Sequence, residues 1–202
     1  MKSMPSLAVY GSTEDGYIGY GGGLDKTATT MLTGAESSGG QDVDLEEYHS
    51  FMFFDTSSLG AGVTIKSAIL ALTVTARVGD WRAMNLRVYG CSGCTGSTLE
   101  IADYGDVVSG GLYLFTVSGY IVGLRKNYTI PVGSLSIINK TGYTNFETDA
   151  VWGGGIDAAV TVAMATQDHA TESLRPLLTV NYDYMGISNA ELRNCELRNA
   201  KP

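Results

Sequence analysis

Basic residues are scarce: 13 Lys and Arg stand against 21 Asp and Glu, for a formal net charge of −8, and they form no cluster. A nucleic-acid partner held through its phosphates is therefore not expected. Charge of either sign is sparse, at 17% of the 202 residues, while 44% are hydrophobic, a balance that excludes a disordered chain. Proline is limited to four residues, and helical periodicity is nearly absent. The segment Met1-Lys2-Ser3-Met4-Pro5-Ser6 lacks an apolar run of signal-peptide length, so Sec-type export is not expected.

Long hydrophobic runs are also missing, with one stretch that needs argument. Residues Val107 to Leu124 carry no charge, but Gly110, Gly111, Gly119 and Gly123 with Ser109, Thr116 and Ser118 dilute them. The apolar members come as two short bursts, Leu112–Phe115 and Tyr120–Val122, which predict two strands or a strand and a loop rather than a membrane span.

Chemistry-bearing residues are few. The three cysteines include one close pair, Cys91-Ser-Gly-Cys94, in a loop composition where the thiols either stay free or oxidise. Cys195, His49 and His169 offer no zinc-ligand spacing, and no metal or cofactor is expected. Neither histidine has a neighbour that would make a hydrolase nucleophile, so no catalytic residue is assigned and the chain reads as a non-enzyme. The acidic run Asp42, Asp44, Glu46, Glu47 reads as a solvated loop; capture of Ca²⁺ by these hard oxygens is the sharper alternative.

What is abundant is glycine, with 26 residues, and short β-prone bursts between glycine- and serine-rich turns. In Ile65–Thr75, Leu70, Leu72 and Val74 share one face, and Leu86 and Val88 alternate likewise in Asn85–Tyr89. The run Phe51–Phe54 is apolar on both faces, as a strand covered on both sides would be. Gly133–Lys140 is the one helical candidate, because Leu135 and Ile138 share a helical face. Strands are expected as well near Leu7–Tyr10, Tyr17–Tyr20, Asn127–Val132, Thr144–Thr148, Ala158–Met164 and Leu177–Tyr182, with Glu36–Glu47 as a long exposed loop. The expected fold is all-β: a jelly-roll-like antiparallel β-sandwich over residues 1–183, with a short C-terminal extension over 184–202.

Phe53-Phe-Asp-Thr-Ser-Ser-Leu59 followed by Val63-Thr-Ile-Lys-Ser-Ala-Ile-Leu-Ala-Leu72 resembles the hallmark of DNRLRE-type domains. Arg175-Pro-Leu-Leu-Thr-Val-Asn-Tyr182 is similar to that family's closing strand. Ile138–Phe146, Ala102-Asp-Tyr104 and Asp15-Gly-Tyr17 look like versions found on phage and metagenomic chains. The resemblance spans about Leu7 to Tyr182 and departs at Gly60, where the family often has proline. It implies a sandwich similar to carbohydrate-binding modules and a setting in a virion.

Two functional expectations follow. The first is a structural virion protein, made in the host cytoplasm, whose partners are other virion proteins in a homo-oligomer or a capsid or tail lattice. Its assembly contacts would include the tail, where Ala190–Asn194 and Cys195–Asn199 repeat a five-residue unit centred on Leu192 and Leu197. The alternative is a carbohydrate-binding module or receptor-binding protein that recognises a polysaccharide through Trp81, Trp152, Tyr17 and Tyr20.

Overall fold

The structure is a computed structural model that describes residues 4–19, 23–37, 45–79, 84–91, 94, 96–100, 103, 111–152 and 160–184. Twelve strands are described: β1 (Ser6–Tyr10), β2 (Gly16–Gly19), β3 (Gly23–Asp25), β4 (Thr30–Ser37), β5 (Leu45–Asp55), β6 (Val63–Val78), β7 (Met84–Gly90), β8 (Leu112–Thr116), β9 (Arg125–Thr129), β10 (Tyr143–Trp152), β11 (Val160–Ala165) and β12 (Leu177–Tyr184). Every described pairing is antiparallel. The fold is the all-β sandwich that the strand pattern implies.

One layer runs β1-β12-β6-β9, and the other runs β8-β7-β10-β5-β4-β11 and returns to β6. The two layers are continuous because the 16-residue β6 belongs to both. Its first half pairs β12 from Val63 to Ala71, and its last residues, Val74 to Val78, pair β11. The β2–β3 hairpin lies against β5 beside β4.

Side-chain alternation explains what lies between the layers. Leu70, Leu72 and Val74 of β6 meet Met52 and Phe54 of β5, Leu86 and Val88 of β7, Phe146 of β10, and Leu178 and Val180 of β12 in one core. Phe54 and Phe146 pack edge to face, with ring centroids 5.6 Å apart. Each such fully buried side chain contributes about 1.5–3 kcal/mol relative to exposure. Phe51 and Phe53 face the other way and join Ile18, Cys94 and Leu99 in a second, smaller cluster, so β5 is covered on both sides. Thr33, Ser50 and Thr148, all buried, satisfy one another: Thr33 Oγ1 lies 2.6 Å from Ser50 Oγ and 2.5 Å from Thr148 Oγ1.

The turn after β5 shows how its sequence folds. Asp55 Oδ1 accepts from the Ser57 N–H at 3.0 Å and from Ser57 Oγ at 2.6 Å, and these bonds hold the carboxyl below its ordinary value. Gly60 then adopts φ +73°, a region closed to proline, whose ring fixes φ near −65°. Glycine at this position is therefore required by this turn.

Several expectations are corrected. Thr30–Ser37 forms a strand, and Leu45–Glu47 begins β5, so the expected 36–47 loop is confined at most to 38–44, which lie outside the described residues. Glu46 and Glu47 sit on a ladder opposite Glu36 and Ala35. Of the two alternatives for the uncharged stretch, the strand and loop holds, with Leu112–Phe115 in β8 and Tyr120–Val122 outside any strand. Val132–Ile137 is a 3₁₀ helix, with Leu135 and the following Ile138 buried as their shared face suggested. Cys91 and Cys94 are joined in a disulfide. No helix among the described residues is long and apolar enough to cross a membrane.

Candidate functional site

The outward surface of the larger layer carries the richest chemistry among the described residues. Residues paired across antiparallel strands share a face, so the register lays out the site in rows. One row reads Phe51 (β5), Glu147 (β10), Tyr89 (β7) and Tyr113 (β8). Beside it, Asp149 pairs Arg87, and Arg87 pairs Thr116, with His49 of β5 at the other end. Ile18 and Leu24 of the β2–β3 hairpin, with Cys91, Cys94 and Leu99, cover the apolar end of this surface, around Phe51 and Phe53. The polar end is exposed at Tyr113.

At the border between the two ends, His49 Nδ1 lies 2.9 Å from Glu147 Oε1, and His49 Nε2 lies 3.9 Å from Asp149 Oδ1. His49 is 4% exposed and Glu147 0%, so this polar pair is embedded in the sheet surface. Burial lowers the His49 pKa against the opposing pull of Glu47, which favours the neutral ring. A neutral imidazole then donates through Nδ1–H to Glu147. Burial raises the Asp149 pKa, offset in part by the Ala150 N–H and the Arg87 charge.

The open end is aromatic and charged. Tyr89 and Tyr113 pack edge to face with centroids 5.8 Å apart, and the Arg87 guanidinium stands 5.9 Å from the Tyr113 ring centre. Tyr113 is 48% exposed, and its hydroxyl lies 3.0 Å from Thr116 Oγ1. This grouping offers a ring face with a guanidinium, a carboxylate and hydroxyls around it, the donor and acceptor set that sugar hydroxyls need. Ser50, next to His49, bonds Thr33 and the Leu32 carbonyl on the core side.

The structure describes only some of the residues singled out by sequence. Trp81, Tyr20, Leu192 and Leu197 are outside the described residues. The backbone of Trp152 is the last residue of β10, opposite Met84, and not a loop. Tyr17 is half-buried against the main core, edge to face with Tyr48 at 5.7 Å. His169 lies in a turn, where its Nδ1 accepts from the Thr171 N–H at 3.1 Å. No group of three or more His, Cys, Asp or Glu among the described residues is placed to hold a metal ion.

Sequence reasoning passed over Arg87, Tyr89, Tyr113 and Asp149. The signal is present in Asn85-Leu-Arg-Val-Tyr89, where Arg87 and Tyr89 alternate with core Leu86 and Val88. Only the register brings them beside Asp149 and Tyr113. No family model matches the chain, and no curated protein matches it.

Proposed function

We propose that this chain is a non-enzymatic structural protein of a bacteriophage particle, a capsid-decorating, tail or fibre component that acts through protein–protein assembly. The virion setting draws on the resemblance of Ile138–Phe146, Ala102–Tyr104 and Asp15–Tyr17 to versions of DNRLRE-type domains found on phage and metagenomic chains. The observation that carries the assembly half is the turn after β8. Ile121, Val122 and Leu124 are 65%, 45% and 56% exposed at its tip. The turn is anchored, because the Gly123 N–H donates to the Val74 carbonyl at 2.8 Å and the Leu124 N–H to the Ile121 carbonyl at 3.0 Å. Gly119 and Gly123, at φ +58° and +78°, permit its path. Apolar side chains fixed in water are a cost to an isolated domain and a gain to one that docks. Peptide mass spectrometry of gradient-purified phage particles tests the reading: the chain is expected at fixed stoichiometry, and its absence from the particles contradicts it.

The open face around Tyr113, Arg87 and Asp149 favours a second reading, recognition of a polysaccharide. The two are compatible when a virion protein also attaches to a host glycan. They are separated by a glycan array, which the first reading does not require to be positive.

A further inference from the structure

The Cys91–Cys94 disulfide lines a cleft of about 450 Å³ together with Ile137, Asn139, Tyr143 and Asn145. This volume is within the range that admits a small organic ligand. Neither the assembly turn nor the Tyr113 face uses this cleft.

The two sulfurs are inequivalent. Cys91 is half-buried at the end of β7, whereas Cys94 is 6% exposed and packs in the cluster of Ile18, Phe51, Phe53 and Leu99. The Cys94 N–H points to Cys91 Sγ at 3.2 Å. A backbone donor aimed at sulfur favours the thiolate at Cys91, while apolar burial disfavours it at Cys94. The backbone around Cys94 is also held independently of the disulfide. Asn145 Nδ2 donates to the Cys94 carbonyl at 2.6 Å and to the Gly96 carbonyl at 3.2 Å. The Cys91 N–H donates to the Asn145 carbonyl at 3.0 Å, so both cysteines are tied to Asn145 by bonds other than the disulfide.

We propose that the Cys91–Cys94 pair is a thiol–disulfide exchange site for a small organic thiol seated in this cleft, with Cys91 the exchanging sulfur and Cys94 the resolving one. In the reducing direction an external thiolate attacks Cys91 Sγ. The Cys91–Cys94 bond breaks as the mixed disulfide forms, and the electron pair leaves on Cys94, which takes a proton from water. A second external thiolate attacks the ligand sulfur of the mixed disulfide and releases Cys91 as thiolate. Two external thiols are thereby oxidised to one disulfide, and the protein disulfide is reduced to two thiols. In the opposite direction the Cys91 thiolate attacks an external disulfide and Cys94 closes the ring.

The test uses the full chain. Reduced wild-type protein is exposed briefly to oxidised glutathione, quenched in acid and mapped by peptide mass spectrometry. A transient adduct on Cys91 is expected, about tenfold or more above that on Cys94, decaying to the internal disulfide. In Cys94→Ser the Cys91 adduct persists, and in Cys91→Ser no adduct forms on Cys94. Adducts equal on Cys91 and Cys94, favouring Cys94, or confined to Cys195 would overturn the proposal. The wild-type map decides it even if a serine variant does not fold.

Discussion

His49 Nδ1 and Glu147 Oε1 meet at 2.9 Å between neighbouring strands, with both side chains almost out of water. Such a pair is costly to break from one side only, because the remaining partner stays buried. His49→Ala is expected to lower unfolding free energy by about 3 kcal/mol or more. Glu147→Gln, which keeps an acceptor for Nδ1–H, should cost about half as much. Urea denaturation of both variants at neutral pH checks this, and equal losses would contradict the pairing.

The same histidine sets a pH dependence. Burial lowers its folded pKa below the unfolded value of about 6.5, so the unfolded chain binds the proton more readily. Its contribution to stability is present above about pH 6.5 and is lost as pH falls through the folded pKa. Urea midpoints between pH 7 and pH 5 should fall more in wild type than in a folded His49→Gln variant. Parallel curves would contradict this assignment.

Asp15 acts in the opposite sense. Its carboxylate is fully buried, accepting from the Phe53 N–H at 2.8 Å and the Ser12 N–H at 3.2 Å. Desolvation outweighs those bonds and raises its pKa well above the usual carboxylate range, with Asp168 adding to the rise. The stability it contributes is complete below the unfolded pKa of about 3.9 and is lost as pH rises through the folded pKa. Asp15→Asn should remove that loss and flatten the stability profile on the alkaline side of pH 4, while Asp15→Ala should cost about 1–3 kcal/mol by leaving the Phe53 N–H unpaired.

Gly60 tests the turn geometry. At φ +73° it cannot be replaced by the proline that resembling sequences often carry, and Gly60→Pro is expected to lower stability by more than about 1 kcal/mol. An unchanged melting temperature would mean that the turn takes another path.

The glycan reading makes its own demand on Tyr113. Among polysaccharides bound at millimolar concentration, Tyr113→Ala should weaken binding about tenfold, from lost stacking on its exposed face, while Tyr17→Phe should leave it unchanged. No binding across a broad array would count against that reading.

The sequence made the sandwich legible because burial on one face writes a period of two. Alternation alone puts Leu70, Leu72 and Val74 on one face of their strand and Leu86 and Val88 on one face of theirs, and all five lie in the main core. Phe51 to Phe54 announced a strand covered twice, since an apolar run with no polar face has no place against water. Thr30–Ser37 is not legible as a strand because Gly34 and Ala35 are poor strand formers and its Glu36-Ser37 end is polar, so pairing with β5 and β11 decides it. The outer-face site was hidden for a related reason. Glu147 and His49 are 98 residues apart, and nothing local in either segment specifies the register that joins them. Tyr17 illustrates the converse: an aromatic in a glycine-rich segment looks exposed until Tyr48 and the core are in place.

Assembly through the anchored turn is the central claim, and sedimentation velocity of the purified full chain over a range of concentrations tests it most directly. Wild type should associate, and Ile121→Lys with Leu124→Lys should sediment as a monomer with unchanged circular dichroism. A wild-type chain that remains monomeric at every concentration, alone and mixed with the other proteins of dissociated particles, would contradict it.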